Sequence, residues 1–250
     1  PEETPEAATA PAIPLTAVGA PQRELSRIMV IKGRSALTST LVEVLADEDY
    51  EVIDYNSLEQ ALPAVTEAHW DLIVIDMKQR EGGGLDACKR VRQKSEVPVI
   101  LIADSSAGQD KVDGLNAGAD DFIASPINVD ELLARVRVIF SRRHLPDRMS
   151  EPLLIDNLYI DFAKRMVFLD NKPIELTRIE YDLLYTLVMN KGQTVTHKQL
   201  LSQVWGPEHQ GETQYLWVNI SRLRKKLEPT ADSPRHIRTQ PGVGYFFDAG

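Results

Sequence analysis

An open, doubly wound α/β domain followed by a smaller α+β domain is the fold the sequence predicts, and three observations carry that reading. Short apolar runs alternate with segments of helical period from Ile28 to Phe140. Two of those runs, D-L-I-V-I-D at 71–76 and V-P-V-I-L-I-A at 97–103, are almost uninterrupted. A strand buried on both faces of a parallel sheet reads that way, because neither face is left for polar residues. After residue 152 the pattern changes to brief alternating runs, then helices with clear start signals, then a hairpin. Parallel strands need crossovers, so the first part closes as five βα units with helices on both faces. The working edge of such a sheet lies at the carboxyl ends of its strands, which here deliver Lys32, Gly33, Asp76, Ala103 and Ser125.

Residues 1–24 hold five Pro, with Ala, Thr and Glu and no apolar period. That composition cannot bury enough surface to offset the entropy of ordering, and a disordered tail is expected. In the first domain, residues 25–143, strands are expected at 28–31, 51–55, 71–77, 97–103 and 121–124, and helices at 37–45, 58–68, 85–92, 111–116 and 130–140. Residues 144–151 lack any period and form the expected linker to a second domain, 152–250. Its runs at 153–155, 158–162, 166–169 and 174–176 are broken by Asp156-Asn157, Lys164-Arg165 and Asp170-Asn171, the mark of an antiparallel meander. Thr177 with Glu180 three residues on is a capping box that opens a helix ending at Gly192, and Thr196 likewise caps residues 197–205. In the helix over 213–226, Leu216, Ile220, Leu223 and Leu227 recur at three- and four-residue steps on one face. The other faces carry Gln214, Trp217, Asn219, Ser221, Arg222, Arg224, Lys225 and Lys226. Residues 237–247, centred on Gly242-Val243-Gly244, read as a hairpin. Sheet, three helices and a terminal hairpin make a winged helix-turn-helix, whose last helix is suited to the DNA major groove.

The charge balance supports a nucleic-acid partner once it is divided. The chain carries a net charge of −9, but residues 1–150 hold 16 basic against 25 acidic residues, and residues 151–250 hold 12 of each. Between Thr213 and Thr239 six basic residues stand against two acidic ones, a local patch of +4. With a screening length of ~8 Å, DNA feels that patch more than the distant acidic domain. No apolar run reaches the roughly 18 residues that span a bilayer, so no membrane partner is expected. The single Cys88 fits a reducing, cytoplasmic compartment. His69, His144, His197, His209 and His236 lack metal-ligand spacing, and no Walker loop or Ser/His/Asp arrangement is present. No metal, no cofactor and no catalytic activity are expected.

Residues 27–143 resemble the receiver domain of bacterial two-component response regulators. The match runs through D-L-I-V-I-D-M at 71–77, V-P-V-I-L-I-A at 97–103 and G-L-N-A-G-A-D-D-F-I-A-S-P at 114–126. Such receivers end their first strand in two acidic residues that hold Mg²⁺, the third in a phosphoacceptor Asp, the fourth in Thr or Ser, and the fifth in a Lys before Pro. Carried over, the acidic pair falls on Lys32 and Gly33, the acceptor on Asp76, the hydroxyl on Ala103 and the Lys on Ser125, so only the Asp survives. Phosphoryl transfer to a carboxylate depends on neutralising the charge of two approaching anions. The resemblance therefore implies an atypical receiver not switched by Asp76 phosphorylation, with the Lys32 ammonium expected against Asp76. It also implies pairing into a homodimer through Lys111, Val112, Asp113, Asp120, Asp121, Glu131, Arg135 and Arg137, a patch carrying both signs as isologous contact requires.

The second domain resembles the effector of the OmpR/PhoB family over its whole length. The match runs from L-T-R-I-E-Y-D-L-L-Y at 176–185 through T-H-K-Q-L-L-S-Q-V-W-G at 196–206 to P-R-H-I-R-T-Q-P-G-V-G-Y at 234–245, and is nearest in pattern to members that control potassium uptake. That resemblance implies binding to double-stranded DNA, two copies setting their helices about one turn (~10 bp) apart. Arg222 and Asn219 are expected at base edges, and Arg224, Lys225, Lys198 and Arg238 at phosphates. Pro241 and Phe246 stand where the family often has Arg, leaving Arg235, Arg238 and Thr239 for the wing. Trp217 either folds back on its own domain or packs on a sugar or thymine methyl. Two other readings stay open: a phosphorylation switch using Asp76, and a receiver that docks RNA polymerase or binds a small ligand.

Overall fold

The computed structural model describes residues 25–34, 37–79, 82–103, 108–124, 126, 128–141, 151–228 and 234–248. The expected tail at 1–24, Ser125 and nearly all of the expected linker lie outside those residues.

The first domain is a five-stranded sheet in the order β2-β1-β3-β4-β5. Its strands are β1 (Arg27–Ile31), β2 (Glu51–Tyr55), β3 (Leu72–Asp76), β4 (Val99–Ala103) and β5 (Asp121–Ala124), and every neighbouring pair is parallel. The crossovers are α1 (Leu37–Asp47), α2 (Leu58–Glu67), α3 (Gly83–Arg92), α4 (Gly108–Ala117) and α5 (Val129–Ser141). Every residue of β3 and β4 is buried, as their unbroken apolar character requires. Alternate side chains feed two layers: Ile73 and Ile75 pack with Leu62, Val91 and Phe122, whereas Leu72 and Val74 pack with Leu41, Leu45, Leu132 and Val136.

The second domain opens with a four-stranded antiparallel sheet, β6 (Leu153–Ile155), β7 (Leu158–Asp161), β8 (Met166–Leu169) and β9 (Lys172–Ile174). Next come α6 (Arg178–Met189), a short strand β10 (Val195–Thr196) and α7 (His197–Val204). A 3₁₀ turn at Pro207–His209 leads into α8 (Thr213–Leu227), and β11 (Ile237–Gln240) with β12 (Gly244–Phe247) forms the hairpin. Both expected capping boxes are present. Thr177 Oγ1 accepts from Glu180 N at 3.3 Å while the Glu180 carboxylate accepts from Thr177 N at 2.8 Å. Thr196 and Gln199 do the same at 3.2 and 2.9 Å. The two domains are in contact, and Leu115 of α4 belongs to the same buried cluster as Leu184, Leu216, Leu223 and Phe247 of the second domain.

Candidate nucleic-acid interface and receiver site

At the carboxyl edge of the receiver sheet the structure closes on Asp76. Its side chain is buried, and one carboxylate oxygen accepts from the backbone N–H of Lys78 at 2.8 Å. A Cβ built on Gly33 would lie 2.4 Å from the Lys78 carbonyl oxygen and 2.7 Å from Asp76 Cγ. Position 33 therefore has no room for the acid that a metal-binding receiver places there. Gln79, which sequence reasoning passed over, donates its side-chain amide to the carbonyls of Ile31 (3.0 Å) and Asp76 (2.9 Å), tying the ends of β1 and β3 together. The expected Lys32–Asp76 pair is not formed: Lys32 reaches sideways to Asp54 at the end of β2, at 2.5 Å. The physical reason lies in the parallel pairing, which sets β1 beside β2 and brings Asp54 level with the end of β1. Ala103 is buried at the end of β4 and offers no hydroxyl. Mg²⁺ asks for several oxygen ligands in an octahedron. One buried carboxylate flanked by a glycine and a cation already committed elsewhere does not fit that demand.

At 100° per residue α8 presents three faces. Leu216, Ile220, Leu223 and Leu227 enter the domain core. Gln214, Trp217, Ser221 and Lys225 fall within about 80° of arc on an open face, where Trp217 is 57% exposed. Trp217 thus does not fold back on its domain. A third stripe, Tyr215, Asn219, Arg222 and Lys226, spans about 60° and turns toward the receiver. Asn219 is fully buried there and donates to the Tyr215 carbonyl at 2.9 Å, so in this conformation it is not placed to read a base. Arg222 is half-buried in a groove of about 280 Å³ lined by Arg92, Glu96, Glu180, Lys225 and Lys226. Burial pulls its guanidinium below the usual range, and the carboxylates of Asp120 and Glu180 oppose that.

The remaining candidate DNA contacts divide in two. Lys198 and Lys225 are exposed. Arg224, expected at a phosphate, instead braces the wing: it donates to the Ile237 carbonyl at 3.0 and 2.8 Å and to Thr239 Oγ1 at 2.8 Å, and lies over the Tyr245 ring. Arg238 pairs with Asp248 at 2.9 Å and Arg235 with Asp156 at 2.9 Å. Thr239 remains on the exposed side of β11.

The face expected to join two receivers is occupied in this structure by the chain's own second domain. Lys111 pairs with Glu212 at 2.9 Å and lies over the Tyr215 ring. The Asp120 carbonyl accepts from Trp205 Nε1 at 3.0 Å, and its carboxylate pairs with Arg92. Asp121 accepts from Arg135 at 2.8 and 2.9 Å and from the Tyr215 hydroxyl at 2.8 Å. Arg135 also bonds His209 and Glu131. Burial alone would raise the Asp121 carboxyl, but the adjoining His209 imidazole and the Arg135 guanidinium outweigh it and hold the group well below the usual range. Val112 is half-buried, Asp113 accepts from Gln109, and Arg137 turns away to Glu48. Isologous pairing through this patch is therefore not compatible with the conformation seen, because Asp120, Asp121 and Arg135 are buried within one chain. Sequence reasoning missed Trp205, His209, Glu212 and Tyr215 as their partners. The spacing of Tyr215, Asn219, Arg222 and Lys226 at steps of four, three and four residues is the signal that a second face of α8 is committed.

Comparisons with known proteins agree with both halves. Residues 28–137 match the family model described as "Response regulator receiver domain", and residues 171–247 match "Transcriptional regulatory protein, C terminal". The chain is 34% identical over 224 residues to the KDP operon transcriptional regulatory protein KdpE of Escherichia coli, covering 89% of this chain and 99% of that one. It is 35% identical over 221 residues to the response regulator ArlR of Staphylococcus aureus, covering 88% and 99%. Among solved structures, a mutant of RitR superposes with a TM-score of 0.74 at 29% identity, over 90% of this chain and all of that one. These relatives are transcriptional regulators rather than enzymes, and the winged helix is a DNA-binding domain. The chain is a DNA-binding response regulator of the OmpR/PhoB family.

Proposed function

We propose that the chain is a sequence-specific transcriptional regulator whose receiver works without phosphorylation of Asp76. The observation that supports this is the closure at position 33: a glycine held against the Lys78 carbonyl and the Asp76 carboxylate leaves no place for a metal-binding acid. A phosphodonor carries its own negative charge toward Asp76, and losing even one aimed electrostatic contact in such a site costs roughly 2.7–4 kcal/mol of barrier. Here the metal site and the hydroxyl are both gone. DNA binding uses the open face of α8, with Trp217 against a thymine methyl or sugar, Lys225 and Lys198 at phosphates and Thr239 on the wing, joined by Arg222 when that side chain leaves the receiver. Two copies pair through the Lys111, Asp121 and Arg135 face once it is free.

The test is to select bound duplexes from random DNA with the purified chain, then treat the protein with acetyl phosphate and Mg²⁺. Intact mass should show no phosphate, and affinity for the selected duplex should not change. Stoichiometric phosphate on Asp76 together with altered affinity would overturn the reading.

A further inference from the structure

The groove of about 280 Å³ beside Arg222 is built by both domains. The receiver supplies Arg92, Glu96 and Asn116 to it, and α8 supplies Arg222, Lys225 and Lys226. Two of these cations are already committed. Arg92 donates to the Gly118 carbonyl at 2.7 Å and pairs with Asp120, and Gly118 admits it, since a Cβ there would stand 2.5 Å from Arg92 Cγ. Lys226 donates to the Glu180 carboxylate at 2.7 Å and to the Glu175 carbonyl at 2.8 Å. The other two are open. Arg222 makes no hydrogen bond or ion pair among the described residues, and its Nη2 atom is buried. Lys225, three residues on and so its neighbour on the helix surface, is exposed and likewise unpaired among the described residues. Of the groove's acids Glu96 is the less firmly held, 4.0 Å from Lys226 Nζ, and burial raises its carboxyl toward the neutral form.

We propose that this groove binds a small phosphate monoester, its phosphoryl group held by Arg222, Lys225 and the Asn116 amide. A guanidinium carries only donors, and a buried donor left without a partner costs the protein the free energy of its lost hydration. An anion beside Arg222 removes that cost. Asn116 is exposed on α4 and its side chain is not bonded among the described residues, so a third donor is available from the receiver side. Three donors on three side chains match the three terminal oxygens of a phosphate monoester better than the two of a carboxylate. The volume, about 280 Å³, lies just under the usual range for ligand pockets, roughly 300–1,000 Å³, and exceeds what a bare phosphate fills. The rest of the lining includes Ala117 and Thr177, small side chains beside which a short hydroxylated body fits. Arg222 and Lys225 are also assigned to DNA above, but Asn116 is not, so the site is testable apart from DNA binding.

The experiment is calorimetric titration of the full-length chain, free of DNA, with glycerol 3-phosphate at fixed ionic strength. The parent is expected to bind it with a Kd of about 1 mM or tighter, inorganic phosphate more weakly, and glycerol not at all. Arg222→Gln and Asn116→Asp should each weaken the ester about tenfold or more, as the loss of a hydrogen bond to a charged group does. Lys164→Gln, which removes an exposed charge from the turn between β7 and β8, should leave its affinity unchanged. Asn116 is exposed, so its variant keeps the test in force if Arg222→Gln fails to fold. Absence of binding by the parent overturns the site. Binding that Asn116→Asp does not weaken overturns it too, because the ester then rests on the cations of α8 without the receiver. Inorganic phosphate binding as tightly as the ester overturns the assignment of the organic body.

Discussion

A side chain at position 33 would have to displace both the Lys78 carbonyl, 2.4 Å from an ideal Cβ, and the Asp76 carboxylate, 2.7 Å away. Restoring the acid by Gly33→Asp is therefore expected to destabilise the protein rather than repair the site. Overpacking of this kind costs about 1–3 kcal/mol, and urea unfolding of the purified variant measures it. An unchanged midpoint would show that the Lys78 backbone yields easily and that position 33 was vacant by composition alone. The chemistry of Asp76, Ala103 and Lys32 was legible from the residue types in the family pattern. The steric part was not, because it depends on how close the chain after β3 runs to the end of β1. For the same reason Lys32 was assigned to Asp76 when its partner is Asp54 of the adjoining strand. Cys88 is buried, and that burial pushes its thiol up to about 11.

Arg224 changes meaning when the elements are considered together. Three donated hydrogen bonds to Ile237 and Thr239 make it the link between α8 and the wing. Arg224→Ala should raise amide hydrogen exchange across β11 and β12 in the free protein and cost about 1.5–3 kcal/mol, as for hydrogen bonds from a charged donor. A side chain that served only at phosphate would leave exchange in the free protein unchanged. Most elements lie where period and caps put them, since burial on one face and the Thr177 and Thr196 capping boxes are local signals. β9 is the exception: expected at 174–176, it runs over Lys172–Ile174. Asp170 and Asn171 both have positive φ, which makes a two-residue turn and pairs Leu169 directly with Lys172. β10, of two residues, is too short to show a period.

At the scale of the whole molecule the docking of the domains was illegible, because it joins residues about a hundred positions apart whose local patterns already had an explanation. Asp121 is central to it, bonded to Arg135, Tyr215 and, at 3.4 Å, His209. Its carboxyl is held below the range it has in an unfolded chain. A depressed acid contributes stability that is present above the unfolded value, ~3.9, and is lost as pH falls through the folded one. Asp121→Asn should therefore lower stability at neutral pH and flatten its fall on acidification. Urea midpoints taken between roughly pH 6 and pH 3 test this, and an acid limb as steep as the parent's would show that other carboxylates govern it.

The face that holds α8 is also the one proposed above for pairing with a second copy, and the competition between them would be unequal. The second domain is joined to α5 by the few residues between Ser141 and Leu153, and a short tether of that kind sets an effective concentration in the ~mM range. A free copy at far lower concentration cannot match it by mass action alone. On that proposal, accumulating more of the chain is a poor way to drive two copies together, and pairing waits instead on the loss of contacts such as Lys111–Glu212.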